Sequence, residues 1–418
     1  MKTFDVVIIG SGLAGLQCAK LLSNRGAKIL LVDRKTDLTK GIHTTGIFVR
    51  KTFEDFEFPP NSLGKAVRNV TLYSPKLRAL DLKSEKDEFR VGKMDVIYEE
   101  MLQECVTNGV RFARATAYKG IRTASDSELV NEQKAVKLND SQVATAPCSD
   151  YVIVKLEKNG EVSEVKTKVL VGADGASSRV AKDLKLDENR EFIVGVEEVY
   201  QGVPLTGEPI LHCFLDAKLA PSYLGWVTND GEDVHIGVGG NYPDENPREA
   251  LEQFKAKISG KFVNLENAKL VEKRGGRIPV GGVLRKIANE RGLLIGDAAG
   301  AVSPLTAGGL DPAMRLSKYA AEIIWERLQT NDAQVLLNYS GEQFRARFVS
   351  RLWMRRLLSA VKSQVLLEIG CAIMRLPIFK KFASHVFFGR GSFPDVALKG
   401  TERRQAACQS VSPDATSI

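Results

Sequence analysis

A short apolar segment that runs straight into a glycine-rich turn is the feature that most constrains the fold of this chain. Residues 4–9 (FDVVII) are followed at once by residues 10–15 (GSGLAG). A strand followed by G-x-G-x-x-G is typical of the first βαβ unit of a dinucleotide-binding domain. Gly10 permits the tight turn, Gly12 lets the backbone approach a pyrophosphate, and Gly15 lets the next helix pack closely on the strand.

The segments that follow agree with this interpretation. The pattern predicts a helix over 13–24 that ends at Gly26, with its N-terminal N–H groups directed at the phosphates. A second strand, over 27–32, ends in Asp33, where an acid can bind a ribose hydroxyl. A chance glycine-rich turn is the alternative, but strand, spacing, helix and terminal acid all favour a dinucleotide site. The pattern alone leaves NAD and FAD open.

Two later stretches bear on the choice of cofactor. Residues 169–175 (VLVGADG) form an apolar strand that ends in an Asp-Gly turn. Residues 293–300 (LLIGDAAG) resemble it and lead, through a glycine-rich turn at 304–312, into a long predicted helix. Each stretch alone is a weak signal, because apolar strands often end in such turns. Their order behind the N-terminal motif is far more specific.

With these motifs the chain resembles the FAD-dependent family that includes aromatic hydroxylases of the p-hydroxybenzoate hydroxylase type and the geranylgeranyl reductases. The resemblance implies FAD as the cofactor, with Asp297 on the ribityl chain and the turn at 308–310 directing a helix N-terminus at the flavin N1–C2=O edge. Reduced flavin carries negative charge there, which a helix dipole stabilises. The motifs and the resemblance together predict these cofactor-binding residues: Gly10, Gly12, Leu13, Ala14, Gly15, Asp33, Arg34, Lys93, Asp174, Gly296, Asp297, Gly308, Gly309 and Leu310.

Within this family the geranylgeranyl reductase branch is the most similar. Its members carry an aromatic-x-Trp pattern and then a strand with alternating glycines. This chain has Tyr223 and Trp226 in that place, with two residues between them instead of one, followed by residues 236–240 (IGVGG). The resemblance spans about residues 1–330. It implies an apolar, isoprenoid-like small-molecule or lipid substrate.

The chain departs from the family in three places. Where many reductases of this branch have a Cys-Gly pair after the second strand, residues 41–46 read GIHTTG. The family's Gly-Glu-Gly-Ile turn is AGGL at 307–310. A helix is predicted from about Met94 to Asn108, and the Arg expected just before it is displaced to Arg90 or replaced by Lys93. FAD binding is expected to survive these changes.

The chain is long enough for two joined domains and an appendage, at 418 residues. We predict an α/β protein: a Rossmann-type FAD-binding domain with an inserted, mostly antiparallel β-sheet substrate domain and a C-terminal helical tail. The predicted boundaries are 1–58, 93–180 and 280–330 for the discontinuous FAD-binding domain, 59–92 and 181–279 for the substrate domain, 331–400 for the helical region and 401–418 for a disordered tail.

Composition narrows the class of protein. With 44% hydrophobic and 26% charged residues the chain is globular, and no segment approaches the ~20 unbroken apolar residues of a membrane span. The first strand begins near residue 4, so no signal peptide is expected. The six cysteines (18, 105, 148, 213, 371 and 408) are scattered without a C-x-x-C pair, which argues against a zinc site, an iron–sulfur cluster or a redox disulfide. We therefore expect a cytoplasmic protein without a metal site.

A basic segment stands out within the net charge of +8. Residues 345–362 contain six basic side chains and no acid, interleaved with apolar residues from 344 onward. One interpretation is contact of 344–362 with an anionic membrane surface, which would make the protein peripheral to the membrane. The other is a helix that covers the core with its arginines reaching outward. No nucleic-acid partner is expected, because no recognised binding module accompanies the segment.

Three residues are candidates for the reaction itself. His43 lies on the loop that the resemblance places beside the flavin, where it could protonate a substrate while hydride leaves flavin N5. The alternative is a histidine that only binds loop backbone or FAD. Tyr223 and Trp226 are either the lining of an apolar substrate cleft or core residues of a sheet.

Three classes of function follow from these observations. The leading hypothesis is an FAD-dependent reductase or dehydrogenase acting on C=C bonds of an isoprenoid-like substrate, with NAD(P)H or a redox partner protein as electron donor. The second is a flavin monooxygenase that uses NAD(P)H and O₂, since residues 174–179 resemble a segment that hydroxylases use. The third is a non-enzymatic dinucleotide-binding scaffold, which three complete cofactor motifs disfavour.

Overall fold

The computed structural model describes residues 1–122, 151–205, 207–243, 245–345 and 348–389. Cys148, Cys408, Arg347 and the tail predicted over 401–418 lie outside these ranges.

Strands predominate up to residue 294, with a few helices between them, and helices dominate the C-terminal part of the described residues. The strands are β1 (Lys2–Ile9), β2 (Ile29–Val32), β3 (Ile47–Val49), β4 (Leu63–Val67), β5 (Asn69–Tyr73), β6 (Ala79–Leu82), β7 (Phe89–Gly92), β8 (Arg111–Ala113), β9 (Ala117–Arg122), β10 (Val152–Lys158), β11 (Glu161–Gly172), β12 (Phe192–Gln201), β13 (Ile210–Phe214), β14 (Gly225–Asn229), β15 (Val234–Gly240), β16 (Lys269–Pro279), β17 (Ala288–Asn289) and β18 (Gly292–Leu294). The α-helices are α1 (Leu13–Ser23), α2 (Arg50–Asp55), α3 (Met94–Thr107), α4 (Arg179–Asp183), α5 (Pro247–Ile258), α6 (Leu310–Thr330), α7 (Glu342–Arg345), α8 (Val349–Ala360), α9 (Gln364–Met374) and α10 (Pro377–Phe388).

The first sheet carries the predicted βαβ unit. Its main path is β17-β18-β11-β1-β2-β8, with β1 parallel to both β2 and β11. Val6 pairs with Ile29 on one side and Val169 on the other, and all three side chains are buried. Parallel strands covered on both faces need continuous apolar runs, which explains why β1 does not alternate. Helix α1 packs against α3 and α6 on this sheet.

The second sheet is the inserted one. Its seven strands run in the order β16-β12-β15-β14-β13-β5-β6, and all neighbours are antiparallel except β13 and β5. Helix α5 covers one face, where Phe254 and Ile258 pack against Ile236 and Val238. The other face turns toward the first sheet and forms the roof of the cavity described below.

The predicted fold class is confirmed: a Rossmann-type parallel sheet, an inserted and mostly antiparallel sheet, and a helical C-terminal region. A third, three-stranded sheet (β3-β7-β4) pairs residues 47–49 with residues 89–92, which the predicted boundaries had assigned to different domains. The exact domain boundaries therefore stay a prediction.

Short helices form the C-terminal region. Helices α7 to α10 occupy most of residues 342–388. Within the described ranges, no helix has the length and apolar character needed to cross a membrane.

Candidate flavin and substrate cavity

A cavity of about 1260 Å³ extends from the carboxyl ends of the parallel strands to the roof formed by the second sheet. Most of the predicted cofactor-binding residues line its dinucleotide end. They are Gly10, Gly12, Leu13, Ala14, Asp33, Arg34, Asp174, Gly296, Asp297, Gly308, Gly309 and Leu310. Gly15 is not among them, because it packs against the backbone of Gly10 and brings α1 close to β1.

Asp33 organises the glycine-rich turn. One of its carboxylate oxygens accepts hydrogen bonds from the backbone N–H (2.8 Å) and hydroxyl (2.6 Å) of Ser11, and the other accepts from the N–H of Lys35 (2.8 Å). The acid at the end of β2 therefore holds the turn in place beside the cavity, where a ribose hydroxyl would meet it.

Asp174 and Asp297 differ in how their carboxyl groups are used. Asp174 accepts hydrogen bonds from the Ser178 hydroxyl (2.6 Å) and the Arg179 N–H (2.8 Å), so it closes the turn before α4. Asp297 has no such partner among the described residues, and burial raises its pKa to about 6. A cavity-facing carboxyl without an internal partner fits the hydroxyl donors of a ribityl chain.

The turn before α6 completes the flavin end. Gly309 precedes the first helical residue, Leu310, and no side chain caps this helix N-terminus. The uncapped N–H groups line the cavity and carry the positive end of the helix dipole, so they suit the negative edge of a reduced flavin. Together with Asp297, this arrangement fits FAD.

Lys93 is the other predicted cofactor-binding residue that is not part of the cavity lining, and its ammonium group forms an ion pair with Glu232 at 2.8 Å. Arg90, the alternative position, pairs with Asp87 (2.9 Å) and also lies outside the cavity. The family's arginine thus has no counterpart from either residue.

The loop over 41–46 runs along the cavity and carries His43. The Nδ1 atom of His43 lies 2.8 Å from the carbonyl oxygen of Gly275 on β16. Because a carbonyl only accepts hydrogen bonds, Nδ1 carries the proton and donates a hydrogen bond to the Gly275 carbonyl. The other ring nitrogen, Nε2, is left for exchange with a substrate or solvent.

Glu197 on β12 is a residue that the sequence analysis missed. Its carboxylate is 3% exposed and accepts hydrogen bonds from the Thr45 hydroxyl, from Trp226 Nε1 (2.8 Å) and from His235 Nδ1 (3.3 Å). A nitrogen of the Arg274 guanidinium lies 3.3 Å away and also donates to the carbonyl of Thr44 (2.9 Å). Glu197 therefore ties the 41–46 loop to four strands of the roof: its own β12, and β14, β15 and β16.

Opposing effects set the charge state of this cluster. Burial raises the pKa of Glu197, but the hydrogen bond and charge of His235 and the charge of Arg274 lower it, and the net shift is downward. Burial lowers the pKa of His235, but the carboxylates of Asp230 and Glu197 raise it to about 9. At neutral pH the cluster thus holds a buried imidazolium between two carboxylates.

We expect the protein to lose stability as pH rises through about 9, owing to His235. The folded pKa of His235 (about 9) lies above its unfolded value of about 6.5, so its contribution is complete below pH 6.5 and is lost as pH rises through 9. The full contribution is about 3 kcal/mol. Urea unfolding of the wild type and His235→Gln should show a stability difference that shrinks over this range. A difference independent of pH would contradict a charged His235.

Tyr223 and Trp226 have features of both interpretations considered for them, while a role in substrate binding stays a prediction. Both line the cavity, yet each is also fixed in the sheet: the Tyr223 hydroxyl donates to the carbonyl of Thr306 (2.7 Å), and Trp226 donates to Glu197. The alternating glycines of β15 make room for their rings. A Cβ on Gly237 would lie 2.2 Å from the Trp226 ring.

Beyond these aromatic rings the cavity continues as an apolar arm. The sheet supplies Leu72, Leu211 and Leu224, and the C-terminal helices supply Met354, Leu358, Met374, Phe382, Val386 and Phe387. The flavin end and this arm belong to one continuous space. Such a space suits a ligand with a long hydrocarbon chain.

The basic segment over 344–362 does not present one basic surface. Arg345 donates to the carbonyl of Val283 (2.9 Å), Arg351 turns into the cavity and donates to the Ser303 hydroxyl (2.9 Å), and Arg355 is buried. Phe344 and Phe348 belong to the main core. The interpretation of a helix that covers the core with its arginines reaching outward thus does not hold for Arg345, Arg351 and Arg355, and Arg351, Met354 and Leu358 of this segment line the cavity.

Two protein-family models and several curated proteins match this chain. The model of the FAD binding domain family matches residues 142–355, and that of the pyridine nucleotide-disulphide oxidoreductases matches residues 4–201. The digeranylgeranylglycerophospholipid reductase of Methanocaldococcus jannaschii is 26% identical over 336 residues, which cover 79% of this chain and 78% of that protein. Digeranylgeranylglycerophospholipid reductase 2 of Methanopyrus kandleri is 24% identical over 395 residues, covering 90% and 92%.

Solved structures share the fold. A geranylgeranyl bacteriochlorophyll reductase-like protein from Thermoplasma acidophilum superposes with a TM-score of 0.76 at 19% identity, covering 96% of this chain and 99% of that one. The p-nitrophenol 4-monooxygenase of Pseudomonas putida superposes with a TM-score of 0.65 at 12% identity, covering 94% and 99%. Reductases and monooxygenases thus share this architecture.

Proposed function

This chain belongs to the FAD binding domain family, and on that premise we propose that it is an FAD-dependent reductase of C=C bonds in an isoprenoid lipid. The observation that carries the proposal is the continuity of the cavity. One end fits FAD, and the other is an apolar arm that could hold a prenyl chain against the flavin. The relatives named above are reductases of geranylgeranyl lipids, which supports the same substrate class.

The reaction needs a hydride at one carbon of the double bond and a proton at the other. Bound FAD, once reduced, supplies the hydride. The chain supplies the rest: Tyr223 and Trp226 flank the apolar arm and exclude water, and the roof strands hold the 41–46 loop beside the flavin end. His43, when both of its ring nitrogens are protonated, would deliver the proton from Nε2 and remain as the neutral ring whose Nδ1–H is hydrogen-bonded to the Gly275 carbonyl.

We expect His43→Ala to lower the turnover number by about 100-fold, the scale of a lost general acid. FAD should remain bound, because the cofactor motifs are untouched. His43→Gln can still donate to Gly275 but cannot exchange a proton, so it should be as slow as the alanine variant. Steady-state kinetics with the visible spectrum as a loading control would measure this. Full activity in either variant would remove His43 from the mechanism.

The sequence has no second G-x-G-x-x-G motif to which binding of an electron donor could be assigned. One G-x-G-x-x-G motif is present, at residues 10–15, and the cofactor would occupy it. We propose NAD(P)H, bound transiently at the cavity mouth, or a redox partner protein as the reductant. Stopped-flow reduction of the flavin with each donor would distinguish the two.

A flavin monooxygenase is the second candidate, because the p-nitrophenol 4-monooxygenase shares the fold. The two functions differ in their use of oxygen. The purified protein should show a flavin spectrum, and after photoreduction without oxygen it should be reoxidised by a geranylgeranyl lipid, with two hydrogens added per double bond. Reoxidation that requires O₂ and yields a hydroxylated product would instead establish the monooxygenase.

We further propose that the enzyme meets its substrate at a membrane surface, as a peripheral protein. A lipid with long prenyl chains resides in a bilayer, and the basic C-terminal part of the chain is suited to anionic headgroups. Because Arg345, Arg351 and Arg355 turn inward, residues 344–362 alone do not form the contact.

A further inference from the structure

The three last helices expose an unusual number of large apolar side chains. We define the apolar face as Trp353 and Leu357 on α8, Leu366 and Ile369 on α9, and Ile378 and Phe379 on α10, all of them exposed. Ile378 is 73% exposed and Leu357 68% exposed. Contiguous patches of this kind mark interaction sites on soluble proteins.

The same helices are apolar on their inner side as well. Leu358 on α8, Met374 on α9 and Phe387 on α10 line the apolar arm of the cavity. Phe382 belongs to both sides, because it lines the cavity and is 56% exposed. Phe382 therefore connects the lining of the arm to the exposed side of α10, which also carries Ile378 and Phe379.

The charges around the apolar face indicate the kind of surface that it contacts. Exposed basic side chains border it: Arg356, Lys362, Lys380 and Lys381. The one acid in residues 348–389, Glu368, instead binds the Ser74 hydroxyl (3.0 Å) and the backbone N–H of Lys76 (3.1 Å) on the inserted sheet. This arrangement complements an anionic lipid surface. The apolar side chains would insert into the bilayer, and the surrounding cations would meet the anionic headgroups.

Helix length and an aromatic contact agree with a surface position. Helices α8, α9 and α10 have 12, 11 and 12 residues, which suits helices that lie along a bilayer. The Arg356 guanidinium lies 5.3 Å from the Trp353 ring centre, so an exposed tryptophan and a cation are in contact on this face. Tryptophan prefers the boundary between headgroups and hydrocarbon.

We propose that the apolar face docks on an anionic bilayer and that an opening at Phe382 is the passage by which a hydrocarbon chain moves from the bilayer into the flavin cavity. The identity of that chain as a prenyl lipid rests on the proposed function. Docking places the opening against the membrane, so the substrate reaches the flavin without crossing water.

Vesicle binding by the full-length, FAD-loaded protein tests the docking. The wild type should co-sediment with vesicles containing phosphatidylglycerol and much less with pure phosphatidylcholine, and salt should weaken binding. Ile369→Glu and Ile378→Glu should each weaken binding at least about tenfold, since each places a negative charge on the face that would insert into the anionic bilayer. Val106→Glu on α3 is the control, because Val106 is 50% exposed and Ile369 51% exposed, and it should bind like wild type.

Tryptophan fluorescence gives a readout independent of activity. Trp353 is 60% exposed, whereas Trp226 and Trp325 are only partly exposed. Lipids brominated on the acyl chain should quench the wild type, and Trp353→Phe should remove most of that quenching. Absence of quenching, absence of vesicle binding, or a dimer that buries the face in sedimentation experiments would overturn the docking.

Two substrate formats separate this proposal from the proposed function. Ile369→Glu/Ile378→Glu should reduce a geranylgeranyl lipid in detergent at the wild-type rate but lose most activity on the same lipid in vesicles. Equal rates in both formats would overturn the passage at Phe382 while leaving the reductase intact. Vesicle binding without reduction of any isoprenoid lipid would leave the docking intact and overturn the reductase.

Discussion

Gly12→Ala is expected to abolish retention of FAD while leaving the fold nearly as stable as in the wild type. The backbone of Gly12 is extended, with φ −70° and ψ −179°, so alanine adopts it without strain. An added Cβ would meet no atom within 4 Å and would project into the cavity, where the pyrophosphate must approach the backbone. FAD affinity should fall by about 100-fold, or roughly 2.7 kcal/mol.

Gly15→Ala is the matched contrast in the same motif. A Cβ there would lie 2.0 Å from the carbonyl oxygen of Gly10, so helix α1 could not keep its distance from β1. We expect a loss of about 1–3 kcal/mol in the free energy of unfolding of the apoprotein. Gly12→Ala should cost under about 1 kcal/mol, the scale of replacing glycine at a helix N-cap.

The measurement combines two quantities for each variant. Gel filtration followed by a visible spectrum reports flavin retention, and urea unfolding of the apoproteins reports stability. If Gly12→Ala keeps its flavin, the pyrophosphate does not approach this turn and the assignment of the cavity's dinucleotide end fails. If both variants lose stability equally, a Cβ at residue 12 must contact neighbouring atoms, which would contradict the open space beside Gly12.

The dinucleotide end could be predicted from the sequence because its constraints are local. The turn at 10–15 needs glycines at fixed positions whatever the rest of the chain does, and Asp33 follows its strand directly. Asp297 and the turn at 308–310 were assigned through the resemblance to the FAD-dependent family, because a strand end followed by a glycine-rich turn is a weak signal alone.

The Glu197 cluster could not be predicted because its members meet only in the folded sheet. His235 and Arg274 lie 38 and 77 residues from Glu197 along the chain. The one available signal is the pair Glu197 and Glu198 in the middle of an otherwise apolar strand. Successive strand residues face opposite sides, so one of the two carboxylates had to face the cavity and the other the helix-covered face, where Lys255 binds Glu198 at 2.6 Å.

The C-terminal helices were predicted as helices, but their two apolar sides were not separable in the sequence. Apolar residues reach nearly all round α8, so periodicity does not tell which side meets the protein. The distinction comes from tertiary contacts: Leu358 faces the cavity, while Leu357 beside it is exposed. Basic residues divide in the same way, with Arg355 buried and Arg356 exposed.

Glu197→Ala is expected to have the largest effect on stability of any single change at the cavity. It removes the acceptor of four donors and leaves the buried cations of His235 and Arg274 without a shared counter-charge. Breaking a buried ion pair by removing one partner costs about 3–5 kcal/mol. The loop over 41–46 should also become accessible to proteases, because Thr45 loses its anchor on the roof.

Two variants separate the charge of Glu197 from its general contribution to packing. Glu197→Gln preserves shape but not charge, so it should lower the pKa of His235 toward its ordinary value and remove the loss of stability through pH 9 that the wild type shows. Glu272→Gln is the control: Glu272 binds Arg274 (2.6 Å) but is more exposed, so its loss should cost under about 1 kcal/mol. Glu197→Gln should keep its flavin, because the cofactor motifs are unchanged. It should slow turnover, because the 41–46 loop loses its contact with a charged Glu197 and His43 is displaced. A Glu197→Gln enzyme with wild-type stability, pH dependence and turnover would mean that the buried carboxylate positions nothing.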